Sequence, residues 1–548
     1  MENSPLKPLN DLQDNAQPVK HRKHNLSRNI SLITLFIVFT SYCIYNLNNK
    51  DWNNERRIIQ DDVQNYYVYI PAAVIYHDIN LEKVHRQLPE NIRQKLWLVR
   101  SKETGLLFSK MTMGLAIIQA PFIAITHYLI VPLTDYPADG YSPPYKITLL
   151  FCSLLFLFIG LWYMRKILLT HYHESIVAFL LLIVGLGTNL TWYVTTEPAM
   201  SHVYSFALII VFYYRLQYWL KKPEILNTIL LGFLFGLIVL IRPTNIIVGA
   251  LFLASEKPLQ RIKYIASHYQ HLLLMIAAYM LIWAPQLAFW KFSTGHWFMY
   301  TYGDEGFFFN NPQVLSSLFS YRKGWLIYTP LMALTFIGLP FLWKKNKEIF
   351  WQVSAMLVLF IYINASWWCW WFGGSFGLRA YIDGYGLFAL AIGAFLQAIF
   401  NKGKIYIKLL GAVCIIGFIA LNIFQTWQYR VGLIHYAYET KHTFWMNFLR
   451  TKPQKNYFES LVQPDIKSSK KGHYFSKNEV TESVRKQFLH KENMKRKIGI
   501  NYLKDRIISN KYVLDEIKTE AERLQVPVDT LITKRATAEY DLYLSKKQ

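Results

Sequence analysis

Long apolar stretches, separated by short polar ones, recur along the chain from residue 31 to about residue 424. Most are long enough, or nearly so, to cross the roughly 30 Å apolar core of a bilayer as a helix. They predict an all-α polytopic membrane protein. The apolar stretches cover residues 31–45, 111–131, 147–164, 175–194, 202–216, 225–241, 245–254, 272–289, 325–343, 349–363, 384–400 and 409–424.

The positive charges in the short loops predict the orientation, because Lys and Arg accumulate on the cytoplasmic side. The basic loops put the N-terminal tail, residues 1–30, inside. If residues 111–131 crossed the membrane, the basic loops after them would lie outside. We therefore expect 111–131 to be re-entrant or interfacial, which leaves about eleven transmembrane helices and an external C-terminus.

A different arrangement also gives eleven spans. In it residues 111–131 cross the membrane, and residues 225–254 form one long helix kinked at Pro243. This second arrangement places several basic loops outside, whereas the first arrangement requires the short stretch 245–254 to span the membrane. The basic loops favour the first.

The composition supports a membrane protein and also shows a large positive net charge. The chain is 53% hydrophobic and 17% charged, yet its formal net charge is +24. Such a balance excludes a disordered chain, and the basic residues lie between apolar runs, so the membrane is the expected partner and nucleic acid is not. The Lys- and Glu-rich residues 431–548 predict a soluble external tail or a small helical module.

The predicted external segments carry the candidate chemistry, because charges near a bilayer are costly and are usually functional. The first external loop, residues 46–110, contains the adjacent carboxylates Asp61 and Asp62, and a carboxylate can act as general base for a sugar hydroxyl. A solvated loop or helix cap explains the same pair. Glu197 and His202 lie in a short polar hairpin. They are candidate substrate ligands or a weak candidate metal pair, and Glu197 is also explained as a helix cap.

Two arginines and a long aromatic loop complete the external face. Arg242 lies at a Pro-containing helix break, and Arg379 directly follows Gly-Gly-Ser-Phe-Gly-Leu. Glycines that let a backbone approach a ligand, beside a guanidinium that can bind phosphate oxygens, predict an anion site. The loop 290–324 adds tyrosines and tryptophans beside carboxylates, which suit a sugar and are also ordinary at a membrane interface.

The order of these motifs over residues 30–430 resembles that of the GT-C glycosyltransferases, and in particular the bacterial branch related to protein mannosyltransferases and lipid A aminoarabinose transferases. The resemblance rests on the acidic pair, the Glu-Pro hairpin, the Arg-Pro break, Phe-Ser-Tyr-Arg-Lys-Gly-Trp and the Trp-rich Gly-Gly-Ser-Phe-Gly-Leu-Arg. The first loop lacks the Trp-Trp-Asp motif of oligosaccharyltransferases, so transfer of a whole glycan to Asn is not expected.

The resemblance implies an inverting enzyme that transfers a hexosyl or pentosyl group from a polyprenyl-phosphate sugar on the periplasmic face of a bacterial inner membrane. The acceptor is a hydroxyl of a glycan, lipid or protein. Asp61 or Asp62 would be the base, with Asp62 slightly favoured, and no metal or other cofactor is required. Donor-phosphate or substrate binding is expected of Arg379, Arg242, Lys110, Glu197, His202, Tyr66, Glu305 and Lys323.

Other functions remain open from the sequence. A transporter or lipid-glycan flippase would carry ionisable residues near the middle of its spans, whereas here they gather on one face. An O-antigen ligase or polymerase would also use external arginines and aromatic residues. The Asp-Asp pair favours a glycosyltransferase over both.

Overall fold

The computed structural model describes most of the chain from residue 29 onward. The predicted N-terminal tail, of which residues 1–28 are the main part, lies outside the described residues. Helices dominate the described residues, with one short antiparallel hairpin within residues 46–110, the predicted first external loop. The described residues are 29–55, 57–88, 93, 96–474, 496–497, 499–501, 503–505, 507–508 and 511–545.

Each predicted apolar stretch contains helix, and shorter helices and the two strands lie between the stretches. In chain order they are α1 (Ile30–Asn49), α2 (Asp62–Tyr67), α3 (Glu82–Gln87), β1 (Leu98–Arg100), β2 (Leu107–Ser109), α4 (Gly114–Ile125), α5 (Pro143–Leu169), α6 (Glu174–Leu186), α7 (Leu190–Thr195), α8 (Ser201–Trp219), α9 (Ile225–Ile241), α10 (Pro258–Ser267), α11 (Tyr269–Thr294), α12 (Val314–Phe319), α13 (Trp325–Tyr328), α14 (Leu334–Lys345), α15 (Lys347–Ser366), α16 (Tyr385–Lys402), α17 (Ile405–Arg430), α18 (Lys441–Asn447), α19 (Ile466–Ser469), α20 (Lys511–Leu524) and α21 (Val528–Ser545).

By length and composition, seven helical segments among the described residues could cross a membrane, and they indicate an integral membrane protein. They are Ile30–Asn53, Gly114–Leu133, Pro143–Leu169, Tyr269–Thr294, Lys347–Ser366, Arg379–Lys402 and Ile405–Arg430. The count of eleven stays a prediction, because it requires the shorter or broken pieces α6, α8, α9, α14 and the stretch after Arg242 to cross as well.

Polar contacts divide the helix ends into two groups, which we call the near end and the far end. At the near end, where α1 begins, Arg165 Nε donates to Ser31 Oγ over 2.7 Å, and Arg165 also pairs with Glu174. At the far end, where α1 has finished, both Nη atoms of Arg430 bond Asp51 at 2.7 Å. The two groups correspond to the predicted cytoplasmic and external faces.

The chain reverses at Arg242 and returns to the near end as a 3₁₀ helix, Pro243–Phe252. Directly after it, Ser255 Oγ donates to Glu348 at the start of α15 over 2.8 Å. A 3₁₀ helix rises about 2 Å per residue, so ten residues reach about 20 Å instead of about 15 Å as an α-helix. A single long helix kinked at Pro243 is therefore wrong for this structure.

The segment Gly114–Leu133 contacts the far ends of its neighbours along its whole length. Gly114 lies against the backbone of Leu240, at the end of α9. Further along, Gln119 Nε2 donates to the hydroxyl of Tyr204 over 3.1 Å, and His127 lies 2.7 Å from the hydroxyl of Tyr145. Tyr204 and Tyr145 both lie within one turn of the far ends of their helices. These contacts fit a segment that lies across the far end, and its interfacial placement stays a prediction.

The break between α6 and α7 connects the Glu197 hairpin to the rest of the far end. Asn422 Nδ2 donates to the carbonyls of Leu186 and Thr188 over 2.9 and 2.8 Å and so satisfies the end of α6. Asn189 donates to the carbonyl of Phe376 over 3.0 Å. The break thereby holds the glycine-rich segment beside α7.

The C-terminal region divides later than predicted. Residues 431–466 belong to the same compact unit as the membrane helices, and the second unit comprises Lys467–Gln548. Within the second unit, α20 and α21 pack around a small apolar core that contains Ile517, Ile532 and Ala536. The compact units thus divide near residue 467 and not at residue 431. The soluble tail or helical module at residues 431–548 and its external location stay predictions.

Candidate functional site

The predicted site residues come from seven separate stretches of the chain, and the structure places all of them at the far end. Each of these stretches lies before, between or after helices that end there. The residues are Asp61, Asp62, Tyr66, Lys110, Glu197, His202, Arg242, Glu305, Lys323 and Arg379.

A short ion pair between Asp62 and Arg379 lies at the centre of the site. Arg379 Nη2 donates to Asp62 Oδ2 over 2.5 Å, although the two residues are 317 positions apart. Their side chains are 16% and 14% exposed, so water still reaches both. A charge-assisted hydrogen bond of this kind is strong, and it joins the predicted base to the predicted phosphate ligand.

The backbone around Asp61 fixes the direction of both carboxylates. Asp61 has φ +48°, which is strained for a residue other than glycine. Asn65 stabilises this turn, since its Nδ2 donates to the Asp61 carbonyl over 2.8 Å. Its Oδ1 accepts from the backbone N–H of Trp97 over 2.6 Å. The acidic pair is therefore braced against the hairpin of β1 and β2.

Arg242 and His202 share a buried partner, Asp383. Arg242 Nη1 and Asn245 Nδ2 each lie 2.9 Å from Asp383 Oδ2, and His202 Nδ1 lies 3.0 Å from Asp383 Oδ1. His202 thus binds Asp383, which does not favour the weak metal pair of Glu197 with His202. Among the described residues no three His, Cys, Asp or Glu side chains are grouped as metal ligands.

Tyr66 lies between the two arginine–carboxylate pairs. Burial raises the pKa of its hydroxyl, Asp62 raises it further, and Arg242 and Arg379 oppose that rise. Its side chain also hydrogen-bonds with Ser201. A neutral hydroxyl in this position can donate to or accept from a bound substrate.

Lys110 and Glu305 form a second charged cluster beside the first. Lys110 Nζ lies 2.6 Å from Glu305 Oε1, and the other oxygen of Glu305 accepts from Trp368 Nε1 over 3.1 Å. The ammonium lies 5.2 Å from the ring centroid of Trp97 and 4.9 Å from that of Tyr302. These contacts hold the long loop after α11 against the first external loop.

Glu197, in the hairpin after α7, has a carboxyl whose pKa is raised. Burial raises the pKa of its carboxyl to about 7, Arg379 opposes the rise, and Asp62 and Asp61 add to it. The group therefore changes charge near neutral pH. A carboxyl with such a pKa can accept or donate a proton under physiological conditions.

Gly377 and Gly373 of the glycine-rich segment differ in how closely other atoms pack around them. Gly377 has φ +60°, and a β-carbon there would lie 2.9 Å from the Cβ of Tyr328. Gly373 also has a positive φ, +63°, with no atom within 4 Å of such a carbon. Close packing against Tyr328 and Asn189 thus requires Gly377, whereas the position of a β-carbon at Gly373 is open.

Lys323 lies in the interior and not at the surface of the site. Its side chain is 0% exposed and its Nζ donates to the carbonyl of Ser375 in the glycine-rich segment. Burial lowers the pKa of the ammonium to about 7. This placement favours support of the segment over the predicted contact with a donor phosphate.

Sequence reasoning missed Asp383, Asn245 and Ser201 as members of the site. The missed signal at Asp383 was a carboxylate directly before the apolar run 384–400, since an acid so close to a span needs a partner. Asn245 was visible as a polar residue after the Arg-Pro break. Ser201 carried no signal, because serine is common at the start of a helix.

The fold and the site define a polytopic helical membrane protein with a charged, partly buried site at one end. No protein-family profile matches the chain, and no curated protein matches its sequence. Two solved structures of an oligosaccharyltransferase from Archaeoglobus fulgidus are weakly similar. The apo form has a TM-score of 0.41 and 13% identity over 83% of this chain and 62% of its own.

The second similar structure is the same organism's oligosaccharyltransferase AglB in complex with an inhibitory peptide and a dolichol-phosphate. It has a TM-score of 0.42 and 12% identity over 82% of this chain and 61% of its own. This chain therefore spans about three fifths of the length of the two structures. Similarity at this level assigns neither an activity nor a substrate to the chain.

Proposed function

We propose that the protein is an inverting membrane glycosyltransferase that transfers a hexosyl or pentosyl group from a polyprenyl-phosphate donor to an acceptor hydroxyl. The contact between Asp62 and Arg379 carries the proposal, because it brings a potential base and a phosphate-binding guanidinium to one point. Arg242 and Tyr66 adjoin this pair. The reaction takes place on the periplasmic face of a bacterial inner membrane.

Each charged group of the site has one role in the proposed reaction. Asp62 takes the proton from the acceptor hydroxyl, and the oxygen attacks the anomeric carbon from the face opposite the lipid phosphate. The bond between that carbon and the phosphate oxygen breaks, so the configuration inverts. Arg379 and Arg242 stabilise the negative charge on the departing lipid phosphate. The scheme requires no metal and no other cofactor.

The ion pair also explains how the base becomes available. Without substrate, Asp62 and Arg379 neutralise each other at 2.5 Å. A donor phosphate offers the guanidinium a replacement partner with matching geometry. Donor binding then releases the carboxylate of Asp62 toward the acceptor, so the donor binds first.

The remaining residues shape the two substrate positions. Glu197 lies close enough to Arg379 and Asp62 for their charges to act on its carboxyl, and it is placed to bind acceptor or sugar hydroxyls. Lys110 and Glu305, with the rings of Trp97 and Tyr302, offer a charged aromatic surface beside Tyr66. Aromatic faces beside carboxylates suit a sugar ring.

The test compares D62N and D61N with wild-type protein in a transfer assay with a polyprenyl-phosphate sugar. Loss of a general base costs about 10²–10⁴-fold in rate, and we expect this loss in D62N with donor-lipid binding retained. The control is D51N, which breaks the Asp51–Arg430 pair at the same end outside the site. Full activity of D61N, D62N and the double variant would contradict the proposal.

The second arm of the test is R379A. The phosphate-binding role requires a much higher KM for the donor and a nearly unchanged KM for the acceptor. Equal effects on both KM values would leave Arg379 with a structural role. A mass-spectrometric comparison of surface glycans with and without the protein would identify the sugar and its acceptor.

A further inference from the structure

Asp383 is a buried carboxylate that the proposed reaction does not use. It lies in the 3₁₀ turn Arg379–Gly384 that leads into α16, four residues after Arg379, and its side chain is 0% exposed. Burial of a carboxylate is costly unless it is paired and hydrogen-bonded. Its partners therefore indicate what it is for.

We propose that Asp383 is a positioning residue that holds Arg242 in place to bind the phosphate of the lipid-linked donor. This rests on the proposed function for the identity of the anion. Asp383 itself contacts no substrate. It acts through the guanidinium of Arg242 and, secondarily, through the imidazole of His202.

The geometry around Asp383 saturates both of its oxygens. Oδ2 accepts from Arg242 Nη1 and from Asn245 Nδ2, each over 2.9 Å, and Oδ1 lies 3.0 Å from His202 Nδ1. Three donors from α8 and from the break after α9 thus converge on one carboxylate. An amide in its place would turn an NH₂ group toward at least one of these donors.

The carboxylate also determines which nitrogen of His202 carries the proton. Nδ1 lies 3.0 Å from Asp383 Oδ1 and 3.1 Å from Arg242 Nη1. An ionised carboxylate can only accept a hydrogen bond, so the tautomer that suits Asp383 has Nδ1–H donating to it. The contact with Arg242 then only fixes the position of the ring. The imidazole of His202 thereby packs against the guanidinium of Arg242.

Arg242 uses only Nη1 in these contacts, so its other N–H groups are not engaged by Asp383 or His202. Its side chain is 11% exposed, and its central carbon lies 6.0 Å from the ring centroid of Phe372. It also influences the ionisation of Tyr66 and of Tyr302, which line the space beside Asp62. Arg379 also acts on the ionisation of Tyr66, so both guanidiniums lie near one hydroxyl, where we place the donor phosphate.

The backbone around Arg242 fixes only the start of its side chain. Arg242 ends α9 in an extended conformation, with φ −144°, and Pro243 follows. Asn245 N–H donates to the Arg242 carbonyl over 2.8 Å, which fixes the turn. The backbone sets where the side chain starts, and Asp383 sets where it ends.

The experiment measures binding of farnesyl phosphate to the full-length protein in detergent by isothermal titration calorimetry. Farnesol, with the same hydrocarbon and no phosphate, corrects for non-specific uptake. We expect D383N to bind farnesyl phosphate at least about tenfold more weakly than wild type, as for loss of a hydrogen bond to a charged group. We expect D51N, which loses a comparable arginine–carboxylate pair at Arg430, to bind like wild type.

Two further variants separate positioning from a general loss of structure. R242Q alone and R242Q with D383N should bind farnesyl phosphate equally weakly, because both changes act through one guanidinium. D383E keeps the charge but moves it by one methylene, and it should weaken binding severalfold with an unchanged melting temperature. D383E therefore tests the proposal even if D383N does not fold.

Several outcomes would overturn the proposal. Wild-type affinity in D383N or D383E would do so, and so would additive losses in the double variant or failure of wild type to bind farnesyl phosphate. If wild type binds the probe and D383N does not, while no sugar is transferred, the positioning role stands and the proposed transferase activity fails.

Discussion

At the scale of single residues, the sequence identified most charged groups of the site but not their partners. Asp62 and Arg379 were visible because each lies outside the apolar runs, in a segment predicted to be external. Their direct contact was not, because residues 317 positions apart meet only through the packing of helices between them. Lys323 shows the opposite case, since a lysine in a predicted loop is buried completely.

The raised pKa of Glu197, about 7, predicts a stability that depends on pH. The folded protein holds this proton more tightly than the unfolded chain, so Glu197 lowers stability as the pH rises from about 4.5 to 7. At pH 8 we expect E197Q to be more stable than wild type, on the order of 1–3 kcal/mol. The melting temperatures in detergent should converge toward pH 4.5.

The control for this measurement is E224Q, the same substitution at an exposed residue of the opposite end. It should change the melting temperature little at either pH. A melting temperature of E197Q below that of wild type at pH 8 would show that Glu197 is ionised and stabilising in the fold.

At the scale of elements, apolar runs predicted the helices well, but their irregular parts depend on tertiary contacts. The stretch 245–254 looked too short to span, and it gains reach as a 3₁₀ helix, which no periodicity in the sequence revealed. The break after α6 depends on Asn422, which is more than 230 residues away. Such contacts are set by packing and not by local propensity.

Two glycines of the segment before Arg379 give a matched comparison. Both have positive φ, so alanine strains either position, but only at Gly377 would the β-carbon meet other atoms, at 2.9 Å from Tyr328 Cβ and 3.3 Å from Asn189 Nδ2. We expect G373A to cost about 1 kcal/mol and G377A about 1–3 kcal/mol more. Thermal unfolding and transfer activity of the two variants check this; equal losses would contradict the packing argument.

At the scale of the whole molecule, loop charges predicted which helix ends lie together, because positive-inside sorting acts on the whole chain at once. The boundary of the C-terminal unit was placed too early, at residue 431. The chain changes composition there, yet residues 431–466 pack with the membrane helices. Arg322 Nη1 donates to the carbonyl of Ala437 over 2.9 Å, and Ser375 N–H donates to that of Tyr436 over 3.3 Å.

Truncation distinguishes the two boundaries. A chain ending at Ile466 keeps every residue of the first compact unit, and we expect it to insert and to transfer sugar. A chain ending at Arg430 loses the carbonyls that hold Arg322 and Ser375, and it should lose activity and melt at a lower temperature. Comparable activity of both truncated chains would show that residues 431–466 are dispensable.

Cysteine labelling tests the sidedness. In a cysteine-free background, D135C should react with a membrane-impermeant maleimide from outside, because both ends of Gly114–Leu133 are expected there. K221C, exposed at the near end, should react only after permeabilisation. Labelling of D135C only after permeabilisation would mean that Gly114–Leu133 crosses the membrane.

Because residues 431–466 secure Arg322, the contacts of the site form in a defined order during synthesis. Arg322 Nη2 donates to the carbonyl of Val462 over 3.3 Å, so a residue between α12 and α13 is secured by one synthesised about 140 positions later. When Val462 is made, Asp62, Arg379 and the glycine-rich segment before Arg379 are already in the chain. The contacts that secure Arg322 therefore form only after the residues of the site have been synthesised.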